Sequence, residues 1–123
     1  MLSDIKHIDY CKRITKPWGY EVIWAAPDSG AYIGKLICIY PNQRMSLQYH
    51  EKKEETIYVI SGVLLVWESE SEKEVLTLSN GNIYHVNPGQ IHRFGAGSET
   101  VMIIEVSTDY LEDVVRIKDD YNR

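Results

Sequence analysis

Short blocks of β-branched and aromatic residues recur along the chain, and turn residues separate them. Strands are predicted over residues 20–25, 31–40, 46–50, 56–60, 63–68, 74–78, 83–86, 92–94 and 100–106. The breaks are Pro27-Asp28-Ser29-Gly30, Pro41-Asn42, Ser61-Gly62, Ser79-Asn80-Gly81-Asn82, Asn87-Pro88-Gly89 and Gly95-Ala96-Gly97-Ser98. Many short strands at this spacing predict an all-β sandwich or barrel. Only the segment 111–117 reads otherwise, as a short C-terminal helical turn. Two blocks, Ile57-Tyr58-Val59-Ile60 and Val101-Met102-Ile103-Ile104, are apolar on both parities. One parity packs the interior and the other needs cover, which a second subunit would supply. A homodimer is therefore expected, with residues 14–22 a place for strand exchange.

The chain has 123 residues, 44% hydrophobic and 25% charged. That length and balance fit one soluble domain over 1–123, with 1–15 as an N-terminal extension. Acidic residues outnumber basic ones, giving a net charge of −5. This argues against a nucleic-acid partner, which selects a basic surface. No apolar run approaches the ~18–20 residues of a membrane span, and the N-terminus does not read as a signal peptide. No membrane partner is expected, and a cytoplasmic location with Cys11 and Cys38 as reduced thiols is the plain reading.

Chemistry concentrates in three places. In a strand, residues i and i+2 share a face, so Ser46, Gln48 and His50 point one way if Leu47 and Tyr49 point the other. Glu55 opens the apolar strand 56–60, where a carboxylate is costly to bury without a partner, and a divalent cation would be one. His92 follows the turn Pro88-Gly89. Singly these signals are weak: His7 and His85 read as ordinary surface or strand histidines, and the charge cluster Glu51 to Glu55 as a solvated loop.

The combination resembles the cupin superfamily. Gln48-x-His50-(x4)-Glu55-(x6)-Gly62 is similar to the first cupin motif, and Gly81-(x6)-Pro88-Gly89-Gln90-Ile91-His92 to the second. The resemblance narrows to the cupin domain of type II mannose-6-phosphate isomerases. It is carried by Lys16-Pro17-Trp18-Gly19-Tyr20-Glu21, the Gln48-Tyr49-His50 stretch, His92-Arg93, and the closing segment from Ile104 to Arg123. Asn42 stands where that family often has Gly, and the loop after His50 is not His-rich. The resemblance implies a cupin jelly-roll barrel of two antiparallel sheets. It also implies one divalent metal held by Gln48, His50, Glu55 and His92. That mixed N/O set suits Zn as the default, with Mn, Fe, Co or Ni also accommodated.

The expected function is a metal-dependent isomerase or epimerase of a small sugar or sugar phosphate. Lys35, in parity with Ile37 and Ile39, and Arg93 are the expected catalytic residues. Ser46, Lys35 and Arg93 are expected to bind substrate. The proton-transfer base is open among Glu54, Glu105, Lys35 and Tyr58. Arg93, Lys35, Arg44, Lys52 and Lys53 could supply local positive charge for a phosphate, the last three reading first as a solvated basic rim. Two alternatives stand beside this: a non-catalytic metal- or sugar-binding module, and an Fe(II) dioxygenase using His50, Glu55 and His92.

Overall fold

Strands form where the β-rich blocks were predicted. The computed structural model describes residues 10–123, so His7 and the first part of the expected N-terminal extension lie outside the described residues. Eleven strands follow in order: β1 Lys12–Lys16, β2 Gly19–Ala25, β3 Ile33–Ile39, β4 Leu47–Tyr49, β5 Glu55–Ser61, β6 Leu64–Trp67, β7 Leu76–Leu78, β8 Ile83–Val86, β9 Arg93–Ala96, β10 Val101–Ser107 and β11 Val115–Lys118. Six form one sheet in the order β1-β2-β3-β10-β5-β8. Opposite it lie the β11-β4 pair and the three-stranded sheet β7-β6-β9, joined by the bridges Arg44↔Gly95 and Gln48↔His92. All these pairings are antiparallel.

The two ends of the chain depart from the sequence reading. Residues 12–15, read as extension, belong to β1, which pairs with β2 of the same chain in register Lys12↔Ile23 to Lys16↔Gly19. The helical turn expected over 111–117 is not there, and no helix occurs among the described residues. A turn at Leu111-Glu112 leads instead into β11, which pairs with β4 through Val115↔Tyr49 and Arg116↔Gln48. The β-branched residues Val114, Val115 and Ile117 favour the extended chain. The three-residue β4 also offers an edge whose backbone groups need partners.

Two turns depend on their residues. Gly62 has φ 79°, and a Cβ there would lie 2.4 Å from the Thr100 carbonyl oxygen, so only glycine fits between β5 and β6. Asn42 has φ 60°, a left-handed conformation that asparagine tolerates better than most residues.

Inward positions change character along the large sheet. At one end Ile37, Ile39, Ile57, Val59, Val101 and Ile103 pack with Trp18, Leu64, Val66, Val86, Phe94 and Ala96 into an apolar core. Further along the same strands the inward positions become Lys35, Glu55 and Glu105. The register carries this switch across the sheet, because Ile103 opposes Ile37 and Val59 while Glu105 opposes Lys35 and Ile57. One end of the barrel is thus a hydrophobic plug and the other a polar cavity. On the outer face Met102 and Ile104 are half-buried, and Trp24, Tyr58 and Val106 are exposed.

Candidate metal centre

Three strands and one turn bring the cluster together. Gln48 and His50 belong to the β4 segment, and Glu55 begins β5 on the opposite sheet. The turn Asn87-Pro88-Gly89-Gln90 is closed by the Gln90 N–H donating to the Asn87 carbonyl at 3.1 Å, with Gly89 at φ 82°. The Gly89 N–H then donates to the His50 carbonyl at 2.6 Å, which ties the turn to the strand that carries His50. His92 follows, directly across the sheet from Gln48. All four expected ligands are buried.

His50, Glu55 and His92 place one ligand atom each within 4.8 Å of one another. The Glu55 Oε1 atom lies 3.4 Å from His50 Nε2 and 3.2 Å from His92 Nε2. The far side of each ring is already engaged. His92 Nδ1 donates to the Gln90 carbonyl at 3.0 Å, and His50 Nδ1 to the Asp113 carbonyl. In the neutral imidazole this leaves the Nε2 lone pair of both rings facing the carboxylate. Lone pairs in such an arrangement need a proton or a cation among them, and His92 Nε2 has no hydrogen-bond partner. The donor set of two imidazoles and a carboxylate therefore fits a divalent ion.

Gln48 lies alongside, with Nε2 3.5 Å from His50 Nε2 and Oε1 accepting from the Ser46 hydroxyl at 2.5 Å. The two ends of the amide are nearly isosteric. Turned over, its oxygen faces the cluster and Ser46 accepts from its NH2. Ser46, expected at the substrate, thus touches Gln48 instead.

Around the cluster lies a cavity of about 580 Å³, counting its open mouth. Its lining includes Glu21, Lys35, Lys53 and Glu105, all buried. Lys35 Nζ pairs with Glu21 at 3.3 Å. Lys53 Nζ lies 3.1 Å from Glu105 and 3.7 Å from Glu55. Burial pushes the Glu105 carboxyl up to about 8, and the neighbouring Glu55 charge adds to the rise. Burial also opposes ionisation of Glu55. The close polar neighbours Glu105, His50 and His92 and the Lys53 ammonium outweigh it and hold Glu55 well below the usual carboxylate range. Buried ion pairs rarely increase stability over apolar packing, so a chain that keeps several in one cavity points to a working site.

Arg93 stands elsewhere. It is the outward neighbour of cavity-lining Phe94, and its guanidinium donates to the Met45 carbonyl, the Glu72 carboxylate and the Lys118 carbonyl. It joins the two sheet edges to the C-terminal segment and does not line the cavity. Among the open base candidates, Tyr58 faces outward and is exposed, and Glu54 is exposed and paired with His85 at 2.8 Å. Glu105 and Lys35 line the cavity.

Sequence reasoning missed Glu21 and Asp113, and it placed Lys53 on a solvated rim where the structure buries it. Lys53 precedes Glu55 by two residues, so strand parity carried into the loop would have placed it inside. Glu21 shares parity with buried Ile23. Asp113 left no local signal. Its carboxylate accepts from the backbone N–H groups of Glu51, Lys52 and Lys53, while its carbonyl holds His50.

Comparison with known proteins agrees with this architecture. The family described as mannose-6-phosphate isomerase C-terminal matches residues 3–119. Xanthan biosynthesis protein XanB of Xanthomonas campestris is 34% identical over 118 residues, covering 91% of this chain and 24% of that protein. Alginate biosynthesis protein AlgA of Pseudomonas aeruginosa is 29% identical over 140 residues, covering 99% of this chain and 28% of that protein. The chain thus spans about a quarter of the length of the curated relatives it matches. A cupin-like protein from Thermotoga maritima has the same fold at TM-score 0.70 and 17% identity, over 81% of this chain and 76% of that one. The chain is an all-β cupin domain, and it belongs to the family of mannose-6-phosphate isomerase C-terminal domains.

Proposed function

We propose that this domain is a metal-dependent isomerase or epimerase of a small sugar or sugar phosphate. Mannose 6-phosphate to fructose 6-phosphate is the first reaction to test. The observation that carries the reading is the convergence of His50, Glu55 and His92 beside a cavity, lined by the first two, that also buries two lysines and two further glutamates. Gln48, His50, Glu55 and His92 would hold the ion, with zinc the default metal. When bound, it would supply Lewis-acid polarisation of the sugar's oxygens.

The remaining chemistry falls to this chain's own residues. Aldose–ketose interconversion moves a proton from C2 to C1 and another from the C2 hydroxyl to the C1 oxygen. Glu105 is assigned the carbon-to-carbon transfer because it is buried in the cavity, beside the cluster. Lys35, its cross-strand partner, is assigned to hold a substrate oxygen. Arg93 is assigned a positioning role, through Met45 and the C-terminal strand. Ser46 is assigned to orient the Gln48 amide. The exposed outer face with Trp24, Tyr58 and Val106 supports a homodimer. The free thiols Cys11 and Cys38 support a cytoplasmic location.

A coupled assay tests the reading. Metal-loaded protein should interconvert mannose 6-phosphate and fructose 6-phosphate, a chelator should abolish turnover, and Glu105→Gln should lower kcat by ~100-fold or more. Full metal occupancy with no turnover of any common aldose or ketose phosphate would replace the enzyme with a metal–sugar binding module.

A further inference from the structure

Five cationic side chains line the cavity besides His50, and four of them are tied to carboxylates. Lys16 lies 3.9 Å and Lys35 3.3 Å from Glu21, Lys53 lies 3.1 Å from Glu105, and Arg123 Nε lies 2.9 Å from Asp119. The fifth, Arg116, makes no hydrogen bond or ion pair among the described residues. It is exposed, on β11, which closes one side of the cavity. Its Cα partner across the sheet is Gln48, and cross-strand partners share a face. Val114, two residues before it, also lines the cavity. An unpaired guanidinium is therefore carried on the strand beside Gln48, lining the same cavity as His50 and Glu55.

We infer that Arg116 recognises an anionic substituent of the sugar ligand, phosphate or carboxylate, while the sugar itself lies at the His50–Glu55–His92 cluster. This rests on the sugar reading above and adds the residue that selects a charged ligand over a neutral one. A guanidinium suits the task because its planar fork matches the oxygens of either anion in a bidentate contact. Arg116 breaks no existing pair in taking that role, whereas Lys16, Lys35, Lys53 and Arg123 would each leave a carboxylate. Carrying the selection on β11 also explains why a net acidic chain can bind an anion. The positive charge is local, and the deeper acids of the cavity are already matched by Lys35 and Lys53.

Calorimetric titration of the metal-loaded full chain with mannose, mannose 6-phosphate and glucuronate tests this. Wild-type protein should bind one of the two anionic sugars at least ~10-fold more tightly than mannose, and which one identifies the anion. Arg116→Gln should erase that preference and leave mannose affinity and melting temperature unchanged, while Arg116→Lys should keep part of it. A wild-type protein with no preference, or one that binds none of the three, would overturn the inference. So would a preference that survives in Arg116→Gln. The coupled assay on the same samples separates the two claims. An Arg116-dependent preference without turnover keeps this inference and removes the isomerase. Turnover with KM unchanged in Arg116→Gln does the reverse.

Discussion

Gln48 and His92 face each other across the small sheet, each donating its backbone N–H to the other's carbonyl, at 3.0 and 2.9 Å. Two of the four proposed ligands are thus placed by main chain alone. Removing either side chain should leave the barrel standing. His92→Ala is expected to lower divalent-ion affinity by ~100-fold or more, with a stability loss of only about 1–3 kcal/mol. Metal titration followed by chemical denaturation measures both. Collapse of the β-sheet circular-dichroism signal in this variant would contradict the account.

Asp113 positions the same site from the far end of the chain. Its carboxylate, held below the usual range first by the Lys52 N–H and then by those of Lys53 and Glu51, pins the loop that carries Lys53. Asp113→Ala should weaken metal binding by ~10-fold or more. Asp113→Asn, which keeps an acceptor oxygen, should recover part of that loss. Equal metal affinity in Asp113→Ala and wild type, by competition with a chelating dye, would remove Asp113 from the site.

The hairpin glycine gives a test of the fold that does not involve the metal. Gly62→Ala must fit a Cβ 2.4 Å from the Thr100 carbonyl oxygen at φ 79°. A loss of roughly 1–3 kcal/mol is expected in urea unfolding.

Much of this was legible beforehand, for physical reasons. β5 alternates Glu55, Ile57 and Val59 inward against Tyr58 outward, and a period of two survives any change of partner strand. The convergence of His50, Glu55 and His92 was legible because one strand and one Pro-Gly turn set their spacing locally. What depends on distant chain was not. β11 forms because β4 needs a partner, Lys53 is interior because Glu55 and Glu105 await it, and Arg93 turns outward to Glu72 and Lys118. Strand alternation would have turned Arg93 away from an inward His92, but its partners Glu72 and Lys118 lie too far along the chain to be read locally.

The closing segment has an acid-sensitive latch. The Arg44 hydrogen bond holds the Asp120 carboxyl below its ordinary value, outweighing the opposing effect of partial burial. A carboxyl whose folded value is depressed contributes stability above its unfolded value near 3.8, and that stability is lost as pH falls through the lower folded value. Asp120 is 41% exposed, so screening limits the contribution to about 1 kcal/mol or less. Asp120→Asn should therefore be less stable than wild type at neutral pH and lose less on acidification below pH ~4. Parallel acid-stability curves for the two proteins would contradict this.

Anomalous diffraction at the zinc edge from zinc-loaded crystals tests the central claim most directly. The account predicts one strong peak inside the barrel, bonded to His50 Nε2, His92 Nε2, a Glu55 oxygen and the Gln48 amide oxygen, at ~2.0–2.2 Å. An empty cavity in zinc-saturated crystals, or a peak held by other residues, would contradict it.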